Sequence, residues 1–173
     1  MAVYEILEDG TPRKIAGGNN PKSNLILDYK LDANSNNITI TKDFPVGVYE
    51  IYMTGTGSGF DQRLYINNDR VNKCRESILA SYNTSTPTCT STVGTQGIYA
   101  GMIQLTCSVL RLTMIVDNEE VFVDCREVAY DGTTYRRDTI GSIPFITSVT
   151  SLVFEAQGGT YNAGVKIKIF KTA

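Results

Sequence analysis

Near the C-terminal end of the chain, apolar and polar residues alternate one for one: Val165, Ile167 and Ile169 interleave with Lys166 and Lys168. A period of two places three apolar side chains on one face and two charges on the other, which predicts a strand half buried against a second layer. The run Ser148 to Glu155 reads as another strand. The linker Ala156-Gln-Gly-Gly-Thr-Tyr-Asn-Ala-Gly164 carries glycines that take positive φ freely, so these two runs are expected to fold on one another as a hairpin. Shorter runs of the same kind precede them: Leu25–Tyr29, Asn37–Thr41, Phe44–Thr54 with Tyr49, Ile51 and Met53 on one face, and Gln62–Ile66 with Leu64 and Ile66 inward. Cys74–Ala80 fits either one helical turn or a strand. The Thr- and Ser-rich stretch Asn83–Gly97 reads as an exposed connection.

Between Ile98 and Val116 the phase changes. Ile103, Leu105, Cys107 and Val109 are odd, whereas Leu110, Leu112, Met114 and Val116 are even. One regular strand cannot carry both sets on one face, so a bulge or break is expected near Ser108 to Leu110. Val121–Tyr130 returns antiparallel after the turn Asp117-Asn-Glu-Glu120, and Asp131–Pro144 reads as a long connection. About eight strands joined by Gly, Asn, Asp and Ser turns predict an all-β fold, an antiparallel two-sheet sandwich that is jelly-roll-like.

A short arm precedes it. Val3–Glu8 and Thr11–Ala16 flank Asp9-Gly10, a strong signal for a β-hairpin with a type I′ turn. An isolated two-stranded hairpin is marginal in water, so either the main domain or another chain is expected to cover it, with Val3, Tyr4, Ile6, Leu7 and Ile15 as the residues of attachment. With the Gly/Asn-rich linker that follows, residues 1–20 make an attachment arm and residues 21–173 a head domain.

With 16 basic and 18 acidic residues and a net charge of -2, the chain has no electrostatic footprint for nucleic acid or an anionic membrane. No apolar run reaches membrane-spanning length, and the first ten residues lack a secretion signal, so synthesis in a cytoplasm is expected. The chain contains no histidine, which excludes Ser-His and Cys-His catalysis and every histidine metal site. Cys74, Cys89, Cys107 and Cys125 include no Cys-x-x-Cys pair, so buried free thiols are expected rather than zinc. If Asp117-Asn118 is a two-residue turn, Cys107 faces Val128 and a bridge to Cys125 is sterically impossible. Asp117, Glu119 and Glu120 lack calcium-loop spacing and read as solvated turn acids. Gly55-Thr-Gly-Ser-Gly59 has no following Gly-Lys-Ser/Thr and reads as a turn. No catalytic residue, cofactor or metal is expected.

Tyrosine, arginine and amide side chains stand out in the connections. Tyr130, Tyr135, Arg136 and Arg137 are expected in one loop, and Gln157, Tyr161 and Asn162 in the terminal hairpin turn. These residue types are enriched at binding hot spots because they cover much area with few rotors, although they also pack against their own loops or a neighbouring subunit.

Three features together resemble the surface proteins of tailed-bacteriophage virions: the arm Val3–Gly17, the segment Phe44-Pro-Val-Gly-Val-Tyr-Glu-Ile51 leading a β-rich head, and the ending Gly164-Val-Lys-Ile-Lys-Ile-Phe-Lys171. The resemblance does not choose between a head fibre, a capsid decoration protein and a tail component. It implies a homotrimer, attached to other virion proteins by its arm, assembled in the host bacterial cytoplasm and presenting a β-sandwich to host-surface glycans. A carbohydrate-binding module or lectin is the alternative, and a carboxylate-dependent polysaccharide depolymerase ranks third.

Overall fold

The computed structural model describes residues 4–6, 12–14, 24–71, 73–82, 88–104, 106–130, 134–144, 146 and 148–172. Among the described residues fourteen strands follow one another: β1 (Tyr4–Ile6), β2 (Pro12–Lys14), β3 (Leu25–Lys30), β4 (Asn37–Phe44), β5 (Gly47–Gly55), β6 (Phe60–Ile66), β7 (Lys73–Tyr82), β8 (Thr88–Gln96), β9 (Ile98–Ile103), β10 (Cys107–Val116), β11 (Glu120–Tyr130), β12 (Thr134–Pro144), β13 (Val149–Gln157) and β14 (Lys166–Lys171). No helix occurs among the described residues. β1 and β2 form a two-stranded antiparallel sheet of their own, Tyr4 opposite Lys14 and Ile6 opposite Pro12. Val3, Leu7, Ile15 and the Asp9-Gly10 turn lie outside the described residues.

The remaining twelve strands make two antiparallel sheets, ordered β3-β14-β5-β10-β11-β12-β7-β8 and β4-β13-β6-β9. Within them sits a jelly roll. β3, β14, β5 and β10 face β4, β13, β6 and β9, and the chain changes sheet at nearly every step between these eight. The other four strands are two hairpins inserted in connections, β7–β8 between β6 and β9 and β11–β12 between β10 and β13; both extend the larger sheet beyond β10.

Alternation decides which side chains go inside. Ile38, Ile40 and Phe44 of β4, Tyr49, Ile51 and Met53 of β5, Leu110, Leu112 and Met114 of β10 and Ile167 and Ile169 of β14 are all buried in one core. Burying each such side chain contributes about 1.5–3 kcal/mol. The inserted strands lie opposite the edge of the smaller sheet: β9 packs against β10, β11, β12 and β7, and Asp61 and Arg63 of β6 reach Arg137 and Glu76. Gly141 of β12 permits this approach, since a Cβ there would stand 2.8 Å from a methyl of Ile98. Their inward positions mix polar with apolar: Glu76, Glu127, Arg137 and Thr139 are buried alongside Cys74, Val121, Val123, Cys125 and Ile143.

Several expectations require correction. β13 and β14 do not pair: they lie in different sheets, and the linker between them crosses the end of the sandwich, where Tyr161 bridges Ser35 and Gly57. Period-two alternation marks each strand but carries no signal for which neighbour it takes. The presumed connections Asn83–Gly97 and Asp131–Pro144 contain β8 and β12. β12 hides from its pattern because Arg137, Thr139 and Gly141 point inward while Ile140 points out. Cys74–Ala80 belongs to strand β7. The phase change is a break between the end of β9 at Ile103 and the start of β10 at Cys107, a few residues before the expected place, and Cys107 and Val109 face outward. Asp117–Glu120 forms a longer turn than two residues: Val116 opposes Val121, and Cys107 opposes Tyr130 rather than Val128. All four thiols are free, with Cys74 and Cys125 buried but Cys89 and Cys107 exposed.

Candidate functional site

The binding residues expected from sequence do not converge. Tyr130 and Arg136 lie on the outer face of the eight-stranded sheet, at the end of β11 and on β12. Tyr135 lies on β12 opposite Ala129. Arg137 points the other way, between the sheets, where its Nη1 donates to Asp61 Oδ1 at 2.9 Å and its guanidinium lies 5.2 Å from the Tyr99 ring centre. Gln157 is exposed at the end of β13 and donates to Glu155 Oε1 at 3.0 Å. Asn162 is half buried and donates to Thr56 Oγ1 at 3.0 Å. Tyr161 is wholly buried, its hydroxyl donating to Gln62 Oε1 at 2.9 Å and its ring meeting Phe60 edge-on at 4.9 Å. Burial pushes its phenol up. An aromatic in a Gly-rich linker resembles an exposed contact, but here the glycines let the chain turn it into the core.

Around Tyr99 the two sheets are tied by charge. Arg63 Nη1 meets both Glu76 oxygens, at 2.8 and 3.0 Å, while the Tyr99 backbone N–H donates to Glu76 Oε2 at 2.8 Å. The Tyr99 hydroxyl donates to Asp61 Oδ1 at 3.0 Å. Glu127 is different: it is 1% exposed and neither carboxyl oxygen has a hydrogen-bond partner. Burial pushes its carboxyl up to about 8; the nearby Met102 backbone N–H pulls weakly the other way and Asp61 adds to the rise. A raised carboxyl of this kind is the sort of group that general acid catalysis uses. Glu127 is nonetheless sealed under β9, so no substrate reaches it in this conformation.

The outer face of the four-stranded sheet carries an open groove of about 560 Å³. Its floor comes from alternate outward positions, Asn37, Thr39 and Thr41 on β4 and Ser151 and Val153 on β13. Arg70 and Asn68, from the turn after β6, form one wall. That wall is built rigidly. Asn67 and Asn68 take left-handed φ of 55° and 52°, and the Asn67 side chain donates to Ser148 O at 2.6 Å and accepts from the N–H groups of Thr150 and Ser151 at 2.7 and 3.2 Å. Arg70 stacks 4.2 Å over the Tyr65 ring and pairs with Glu155, whose carboxyl it holds below the ordinary value. The result is a fixed row of amide, hydroxyl and guanidinium groups along an open surface. Sequence reasoning missed it because Asn, Thr and Ser at alternate positions read as the solvated side of a strand.

Among the described residues, no group of three or more Cys, Asp or Glu side chains could hold a metal ion. Compared with protein-family models, curated proteins and solved structures, the chain matches none.

Proposed function

We propose that the chain is a non-enzymatic structural protein of a tailed-bacteriophage particle, assembled in the bacterial cytoplasm, held to other virion proteins by its N-terminal arm and displaying the jelly roll outward. One observation carries the reading: among the described residues, β1 and β2 pair with each other and with no strand of either larger sheet. Such a hairpin is marginal alone and gains stability from a surface supplied by another chain. The jelly roll suits display, since the same architecture builds capsid and lectin domains. The test is mass spectrometry of purified particles. The chain should be a stoichiometric component of the particle, and deletion of residues 1–20 should remove it without unfolding the head. A head that stays on the particle without its arm would refute the arm's role.

The groove favours a second reading, binding of host-surface glycans. Its hydroxyl and amide row offers the directed hydrogen bonds that sugar hydroxyls accept and donate, on an open surface that a polysaccharide can cross without threading. On a glycan array, the head with Thr39→Tyr and Ser151→Tyr, which fill the groove, should lose whatever signal the unaltered head gives. Signal that survives both changes places glycan recognition elsewhere.

A further inference from the structure

We infer that the outer face of the eight-stranded sheet is the contact between two identical copies of this chain. The four-stranded sheet lies against one side of the larger sheet; among the described residues no strand packs on the other. Two apolar groups lie on that open side. The ladder places Ile115 directly opposite Phe122, Ile140 one diagonal step from Phe122, and Leu79 one diagonal step from Ile140, so an apolar stripe crosses β10, β11, β12 and β7. All four are exposed, Ile140 at 65%. Toward the opposite end, Val109 and Val128 are directly paired and exposed, with Tyr130 diagonal to Val109.

Between these groups runs a belt of charge that is neutralised within itself. Arg111 pairs with Glu50 at 2.8 Å, Arg126 with Asp124 at 3.5 Å and Arg136 with Asp138 at 3.5 Å. Three cations matched by three anions give neither an acidic nor a basic partner a net attraction. The face does complement itself: belt set on belt lets each arginine share a carboxylate of the other copy while apolar groups meet apolar groups.

Size and shape agree with one occupant of this kind. β5, β10, β11, β12 and β7 run for nine to eleven residues each. Five strands about 4.8 Å apart and about 33 Å long present on the order of 800 Å², the share that each partner contributes to an interface of standard size. Two identical faces pack isologously, which closes after two copies instead of building a ring or a fibre. A hollow of about 260 Å³ beside Phe122 and Ile140, rimmed by Arg75 and Ser77, can receive an apolar side chain of the other copy. Pairing through this face leaves both grooves of the four-stranded sheets outward, so the dimer is bivalent for anything the groove binds.

Sedimentation equilibrium on the full chain tests the contact, with loading up to about 100 µM, where an interface of this size and micromolar affinity is saturated. The expected result is a monomer–dimer equilibrium. Phe122→Asp and, separately, Ile140→Asp should each weaken it about a hundredfold by burying an unpaired carboxylate. Unchanged melting temperatures would show that these outward substitutions leave the fold intact. Thr39→Asp, on the opposite sheet, should leave the dimer untouched. A chain monomeric throughout, a trimer, or an oligomer that survives both apolar-face substitutions overturns the inference.

Discussion

Replacing Glu127 by glutamine isolates a single buried group and gives its effect a definite pH signature. In the folded chain the carboxyl stays neutral up to about pH 8, whereas its ordinary value is 4.5. Between those values the folded state holds one proton that the unfolded state has released. Stability therefore falls as pH rises: the contribution is fully present below the unfolded value and is lost by the time pH passes the folded one. The slope is about 1.4 kcal/mol per pH unit, or about 4 kcal/mol between pH 5 and 8. Glutamine fills nearly the same volume and never ionises, so the difference between the two proteins removes the titrating groups that do not interact with Glu127. Urea titrations of both proteins at pH 5, 6, 7 and 8 measure it. They should differ little at pH 5, and by pH 8 the Glu127→Gln protein should have gained about 4 kcal/mol relative to wild type. A stability difference independent of pH, or one moving in the opposite direction, would refute the assignment of a neutral, unpartnered carboxyl between the sheets.

Other outcomes follow from the same geometry. Tyr161→Phe strands the buried Gln62 Oε1 without its donor, so unfolding in urea should show a loss of about 1–3 kcal/mol with an unchanged slope. Gly159→Ala drives a methyl into the Phe60 ring and should cost about 1–3 kcal/mol, and a Phe60→Leu background should recover part of that loss. A thiol reagent should titrate two cysteines in the native protein and four in urea, because Cys89 and Cys107 are exposed. Burial lifts Cys74 to about 11 and Cys125 well above its ordinary value, leaving little thiolate at either.

The alternation of β4, β5 and β14 was legible because each buries apolar residues on one face and leaves the other largely in solvent: Tyr49, Ile51 and Met53 against Glu50, Tyr52 and Thr54 is the plain case. From such strands the class and the two-layer arrangement follow. Pairing was harder. β13 and β14 are joined by a glycine-rich linker that would suit a hairpin, and only Tyr161, buried against Phe60 and Gln62, reveals that the chain crosses from one sheet to the other. The inserted hairpins were hidden for a different reason. Lying under the edge of the smaller sheet, β12 and β7 bury Arg137, Thr139 and Glu76, and β12 exposes Ile140, so hydrophobicity runs against burial at these positions. Tyr130 and Arg136 lie on a surface as expected, but it is the sheet face carrying the apolar stripe rather than a loop. The polar groove has no sequence signature, because its side chains become a row only when β4 and β13 lie in register.

The account stands or falls on how the chain is held. A density map of the intact particle carrying it addresses that directly: residues 1–20 should be inserted in the particle surface, with both sheets of the jelly roll projecting clear of the shell and the Thr39–Ser151 groove facing solvent. Density showing the sheets built into the shell while the arm extends freely into solvent would contradict it.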